Sequence, residues 1–224
     1  MSLSFYPWTS GANMKWNFLK YKHMNHYITI ARDRDPGMIY PDPISGDPRV
    51  RYSPSAFDRS HILTGQLATA RMLFVAGAEE IHVMTAGIPP FKRRGYSRSG
   101  LVSSNEAYEA GSGDNFKEKG NQEEQEFENW LSSVRNKGLA TPYSAFGNAH
   151  QMGTCRMGTS ESTSVVDPNG RVWGVKNLWV CDASIFPSAS GVNPMVTVMA
   201  IADWIAESVC EDTKVETLKK SAML

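Results

Sequence analysis

The amino-acid sequence predicts a mixed fold, α+β with an α/β C-terminal part, on three observations. Short runs at Tyr27–Asp33 and Val50–Tyr52 alternate or extend as strands do, with turn residues between them, and read as an antiparallel pair. Two stretches, Asp58 to Phe74 and Phe127 to Val134, carry apolar residues at helical spacing. Near the C-terminus the apolar run Leu178–Cys181 reads as a buried strand, followed by a long helix opening at Asn193. The 224 residues suffice for one large domain or two small ones. With 41% apolar and 21% charged residues the composition is that of a globular protein. The 23 basic residues match the 23 acidic ones, which excludes a global field directed at nucleic acid or an anionic membrane.

Taken in order, residues 1–26 are aromatic-rich and irregular, and the N-terminus has no basic segment followed by a long apolar run. His23 and His26 stand three apart, but with no third ligand nearby they read as packing or surface residues. Pro36-Gly37 and Pro41-Asp42-Pro43 punctuate a loop between the strands, the second of which ends at Pro54. Asp58 is expected to cap a helix with Leu63, Leu67, Ala70 and Phe74 on one stripe, His61 at its surface and Gly77 past its end. A brief strand is expected at Ile81–Met84. Lys92-Arg93-Arg94 then opens a polar tract, Ser97 to Glu126, read as a long solvated loop or insertion, with a docking surface as the alternative. Gly111-Ser112-Gly113-Asp114-Asn115-Phe116 lacks a third glycine and is no nucleotide cradle. Phe127, Trp130, Leu131 and Val134 resume a helix that stops at Gly138.

Chemistry concentrates after residue 144. His150 leads the stretch His150-Gln151-Met152-Gly153-Thr154-Cys155-Arg156-Met157-Gly158, where the glycines permit tight backbone and close approach to a flat ligand. An imidazole is the side chain best suited to exchange protons near neutrality, although a histidine in such a loop is more often structural. Cys155 could pair with His150 as a nucleophile. Asp167-Pro168-Asn169-Gly170 is a turn between short extended pieces. Asp182, closing the apolar run, stands where open sheets bind ligands or, equally, where an Asx turn ends a strand. Asn193 and Pro194 form a helix start, with Asn193 explicable as its cap and the helix apolar at Met195, Val198, Met199, Ala202, Ile205, Ala206 and Val209. The three cysteines, Cys155, Cys181 and Cys210, form neither a disulfide framework nor a zinc spacing and favour a reducing compartment. No run of about 18 apolar residues is present, so no membrane-spanning helix is expected.

His150–Gly158, the Asp167–Gly174 turn, Leu178–Ser184 and Gly191–Met195 resemble, in order and spacing, the C-terminal segment of the glucose-methanol-choline (GMC) flavin oxidoreductases, over about residues 144–212. More loosely, Ile28–Asp33, Val50–Asp58 and the helix to Gly77 look like the long-chain fatty alcohol oxidase branch. The resemblance implies FAD as cofactor and an alcohol as substrate, oxidised on its CH–OH carbon, with oxygen or another acceptor taking the electrons. His150 matches the family's proton-accepting histidine and Asn193 its second active-site residue. Asp182 and Ala183 match positions beside the ribityl-pyrophosphate of FAD, and Asn193, Pro194 and Met195 match the helix start beneath the flavin. Cys155 then returns to packing. The implied architecture is a partial GMC fold. Residues 1–154 form part of an antiparallel-sheet substrate domain with a polar loop or insertion near 92–126. Residues 155–212 return into a Rossmann-like FAD-binding domain, and 213–224 are a tail. The family's N-terminal glycine-rich Rossmann motif is not in this sequence, so a missing N-terminal half is an expected partner and the isolated chain is expected to be inactive. The alternative is a truncated, non-enzymatic remnant that does not bind FAD on its own.

Overall fold

The structure, a computed structural model, describes residue 6 and residues 8–93, 114–140 and 144–221. The chain forms two compact units. One comprises Met1–Thr29 with Arg59–Gly147, the other Ile30–Asp58 with Asn148–Leu224, so residue 154 lies inside the second unit.

The first unit is built on helices. Helix α1 (Gly11–Leu19) is capped by Ser10, whose hydroxyl oxygen accepts the Asn13 N–H at 3.1 Å. Helix α2 (Ala56–Val75) begins two residues before the expected Asp58. Its cap is Ser55, whose Oγ accepts the Asp58 N–H at 3.1 Å and donates to the Asp58 carboxylate at 2.9 Å. Leu67 and Ala70 are buried and Leu63 and Phe74 pack beside them, as the stripe requires. The helix stops where Ala78 N–H bonds Leu73 O at 3.0 Å and Gly77 N–H bonds Phe74 O at 3.1 Å, the pattern of a Schellman end. Of the strand expected at Ile81–Met84, only Ile81 belongs to one: β3 (Glu80–Ile81) pairs antiparallel with β4 (Phe91–Lys92), and Thr85 bridges Ser144.

Helix α3 (Asp114–Lys137) corrects the reading of the polar tract as a loop through residue 126. Glu, Gln and Lys are good helix formers, and the residues described from 122 to 126 are exposed apart from the half-buried Glu123, while Phe127, Trp130, Leu131 and Val134 turn inward. Residues 94–113, with Arg94, the start of the tract and the first three residues of Gly111–Phe116, lie outside the described residues. The core is aromatic: Phe127 stacks on Phe74 at 4.1 Å between centroids, and Phe91 meets both rings edge-on. Trp130 donates its indole N–H to Pro89 O at 2.8 Å.

In the second unit, β1 (Met38–Pro41) and β2 (Pro48–Arg51) form an antiparallel hairpin with Met38 opposite Arg51 and Pro41 opposite Pro48. The expected pairing is thus present with a different first strand. Tyr27–Asp33 is no strand: Ile28 and Ile30, which an inward face would bury, are 70% and 41% exposed. The C-terminal segment folds as tight turns on one helix, α4 (Met195–Ser221). The Asp167–Gly170 turn forms as expected. The Asp167 carboxylate accepts the N–H groups of Asn169 and Arg171 at 2.8 and 2.9 Å, and Val166 bridges Val172. Arg171 in turn grips Asp212 of α4 through two bonds of 2.8 and 2.9 Å. Val166, Ile185 and Ile205 form the buried centre.

Leu178–Cys181 is not the buried strand its apolar run suggests. Only Trp179 makes a bridge, and Leu178 and Cys181 are exposed while Trp179 and Val180 pack on the centre. On α4 the inward stripe is Ile201, Ile205 and Val209, with Val198 half-buried, whereas Met195, Met199 and Ala206 face outward. The sequence pattern was apolar on more than one face, so spacing alone did not select the buried one. Small antiparallel sheets with helices are what the fold contains, and no helix described is long and apolar enough to cross a membrane.

Candidate functional site

His150 lies on an irregular segment of the second unit. The Asn148 side-chain oxygen accepts the His150 N–H at 3.0 Å, and the Gln151 carboxamide reaches Asn148 O at 3.4 Å. These bonds set the backbone as an Asx turn and leave the ring uncommitted. The imidazole is half-buried and makes no hydrogen bond among the described residues.

Immediately beyond it the backbone is stitched to the segment that carries Asp182 and Ala183. Gly153 N–H bonds Ala183 O at 3.1 Å, Cys155 N–H bonds Ser184 O at 2.8 Å, and Met157 N–H bonds Ile185 O at 2.8 Å. A side chain at Gly153 would come within 3.2 Å of Phe186 O, which accounts for glycine there. The candidate residues 150–157 and 182–186, remote in sequence, are therefore neighbours through a backbone ladder.

Asp182 itself is occupied locally. Its carboxylate accepts the Ser184 N–H at 2.7 Å and caps the 3-10 turn Ala183–Ile185. The bonds from Ser184 hold its pKa below the usual aspartate value, so it stands as an anion. The Asx-turn reading of Asp182 is thus correct, and the exposed side chain still has acceptor capacity facing solvent.

Asn193 behaves differently from the expectation. Helix α4 opens at Met195, and its first bond runs from Val198 N–H to Pro194 O at 2.8 Å. Pro194 therefore occupies the capping position. Asn193 is exposed and its carboxamide makes no hydrogen bond among the described residues. The cap no longer explains Asn193. Its amide group and the N–H groups of Met195, Val196 and Thr197, which precede the first helical bond, form a donor-rich helix end carrying a positive partial charge.

The rival arrangements are not supported. Among the described residues no hydrogen bond joins Cys155 to His150, and Cys155 serves through its backbone. His23 sits in a 3-10 turn, Tyr21–His23, and His26 on the irregular segment after it, both exposed, so they share no helical face. His61 is exposed on α2. Lys92 and Arg93, a docking surface in the alternative reading, are engaged within the unit, Lys92 with Glu80 at 3.4 Å and Arg93 with Glu123 at 2.6 Å.

A family model described as GMC oxidoreductase matches residues 41–202. The chain belongs to the GMC oxidoreductase family. Long-chain-alcohol oxidase FAO3 of Arabidopsis thaliana is 35% identical over 206 residues, 92% of this chain and 24% of that protein. Long-chain-alcohol oxidase FAO4B of the same plant is 29% identical over 212 residues, 94% of this chain and 25% of that protein. Paromamine 6'-oxidase of Streptomyces fradiae is 42% identical over 77 residues, 34% of this chain and 14% of that protein. This GMC oxidoreductase chain thus spans about a quarter of the length of the long-chain-alcohol oxidases it matches.

One residue of the GMC chain that bears on the site had no signal in the sequence. Arg32 donates from Nη2 to Ser188 Oγ and from Nε to Ala189 O, both at 3.0 Å, on the loop that leads to Asn193.

Proposed function

We propose that this chain supplies the catalytic part of an FAD-dependent alcohol oxidoreductase acting on CH–OH donors, with long-chain primary alcohols as substrates. The observation that carries the reading is the family match over residues 41–202, together with 35% identity to a long-chain-alcohol oxidase over 92% of the chain. Support for the two site residues is that His150 and Asn193 belong to one unit and that their side chains make no hydrogen bond among the described residues.

In this proposal the alcohol oxygen lies between the two side chains. The His150 ring nitrogen accepts the hydroxyl proton while the Asn193 amide donates a hydrogen bond to the same oxygen, so that the developing alkoxide is stabilised as its proton leaves. The alcohol carbon gives up a hydride, the oxygen a proton, and the product is an aldehyde. FAD, when bound, supplies the hydride acceptor, with an electron acceptor such as oxygen restoring it. The donor set suits one part of that cofactor. The amides of Met195, Val196 and Thr197 with Asn193 fit an anionic ring edge, with Pro194 fixing the turn into the helix. Asp182, an anion beside Ala183, suits ribityl hydroxyls better than a pyrophosphate, which it repels. We place residues 155–212 in an FAD-binding domain and the earlier segment in a substrate domain, with the ADP half of FAD held by sequence outside this chain. Alone, the chain is expected to bind FAD weakly or not at all.

The test is a chimera in which this chain replaces the matching segment of long-chain-alcohol oxidase FAO3. It should purify yellow, and a long-chain primary alcohol should bleach its flavin absorbance under anaerobic conditions. His150→Ala should slow that bleaching by roughly 10²–10⁴-fold. Near-normal bleaching in the variant removes His150 from the role. A chimera that retains no flavin favours the non-enzymatic remnant.

A further inference from the structure

We propose that Arg32 is a positioning residue for Asn193, acting through the Ser188–Gly191 loop; the inference rests on the role given to Asn193 above. The Asn193 side chain makes no hydrogen bond among the described residues, so its direction is set by the backbone that carries it. That backbone runs from Phe186 to Pro194 and is exposed or half-exposed from Pro187 to Asn193. Among the described residues, the side chain from outside the loop that bonds to it is Arg32. The guanidinium of Arg32 spans the Ser188 hydroxyl and the Ala189 carbonyl at 3.0 Å each, across 156 and 157 residues of sequence. The stem of the same residue lies against Gly191: a Cβ there would sit 2.9 Å from Arg32 Cβ. Gly191 has φ 70, a conformation other residues adopt at a cost. The loop is therefore shaped to receive this arginine as well as bonded to it. Within the loop, Ser190 Oγ donates to Val192 O at 2.7 Å and stiffens the last step before Asn193.

Arg32 is itself held. The adjacent Asp33 accepts the Tyr52 hydroxyl at 2.9 Å, and the next residue, Arg34, donates its N–H to the buried Asp58 carboxylate at 3.0 Å. A continuous set of bonds thus runs from Asp58, 1% exposed, through residues 33 and 34 to Arg32, the loop and Asn193. The guanidinium is exposed, so its bonds contribute little to overall stability, and their consequence is local geometry. Lysine is a poor substitute, because its ammonium lacks the rigid planar fork that holds both acceptors in a fixed geometry.

The test has two readouts. In the 224-residue chain, ¹⁵N relaxation should show the amides of Ser190, Val192 and Asn193 moving from rigid values in the wild type to order parameters below about 0.6 in Arg32→Met, with α4 from Val198 onward unchanged. In the FAO3 chimera, Arg32→Met should slow flavin reduction by alcohol roughly ten-fold, in kcat more than in KM, and should add nothing in an Asn193→Ala background. Ser188→Ala, which removes one of the two bonds, should give a smaller effect of the same kind and serves where Arg32→Met does not fold. Unchanged loop order parameters overturn the proposal whatever the rate does. A full additional loss in the Asn193→Ala background overturns it as well. Loosened loop amides alongside an Asn193→Ala chimera of normal rate leave Arg32 as the positioning residue and remove Asn193 from the chemistry.

Discussion

Asp58 shows what a single side chain does in this chain. It is buried in α2's first turn yet ionised: burial opposes its charge, but the N–H of Arg34, the Ser55 hydroxyl and the N–H of Asp35 outweigh that and hold its pKa below the usual aspartate value. A depressed folded-state pKa contributes stability that is present above the unfolded value and lost as pH falls through the folded one. Stability should therefore decline on acidification below about pH 4, and Asp58→Asn should flatten that decline in urea titrations across pH. Asp58→Ala, leaving those donors without their acceptor, should cost about 1–3 kcal/mol at neutral pH. Gly170 is constrained from the other side. It has φ 76, and a Cβ would meet Ile205 Cδ1 at 2.8 Å and Val180 O at 2.9 Å. Gly170→Ala combines a left-handed backbone with overpacking of the buried centre, and should lower stability by about 1–3 kcal/mol in the same titration. Had Gly170→Ala no effect, the Asp167–Gly170 turn would not be seated against α4 as described.

At the level of elements, Arg93 couples α2 to α3. Its guanidinium donates to Phe74 O and to Ala78 O at the end of α2, lies 4.3 Å over the Phe74 ring, and bonds Glu123 of α3 at 2.6 Å. Carbonyls at a helix end need donors, and a planar fork can serve several at once. Arg93→Ala should cost about 2 kcal/mol, and Arg93→Lys should recover little of it, read as the melting temperature by circular dichroism. Equal melting temperatures for Arg93→Lys and wild type would show that charge alone suffices. These elements also explain what the sequence made legible. The apolar stripes of α2 and of α3 from Phe127 turn the residues their spacing named toward the core, with Leu63 and Phe74 only partly buried, and Gly77 and Gly138 stand past their ends. The capping signal of α2 was available as Ser55 three residues before Asp58, but Asp58 is itself a good capping residue and drew the boundary inward. Residues 114–126 escaped because a helix of polar formers carries no apolar period. Tyr27–Asp33 alternates without burying a face, and Arg32 meets its loop across more than 150 residues, a relation no local pattern encodes.

At the scale of the whole molecule, large apolar side chains stand exposed on the second unit. On and just before α4, Val192, Met195, Val196, Met199 and Trp204 are 60–73% exposed. Val196 and Met199 stand three apart and Met195 and Met199 four apart, so Met195, Val196 and Met199 share one side of the helix. Isolated apolar residues at a surface are ordinary, but Met195, Val196 and Met199 together on one side of a helix form an apolar strip that can mediate association. It lies on the outward side of a helix whose other side seals Val166, Ile185 and Ile205, so charge can be introduced there without opening the core. The isolated chain should therefore bind an apolar dye and associate as its concentration rises. Val196→Lys with Met199→Lys should reduce both while leaving the circular dichroism spectrum and melting temperature near those of the wild type. Sedimentation velocity across a dilution series checks this, since added charge removes association only where the mutated face mediates it. Association that survives the double substitution would place the contact elsewhere, on the hairpin β1–β2, where Met38, Ile39, Tyr40 and Val50 are 41–67% exposed.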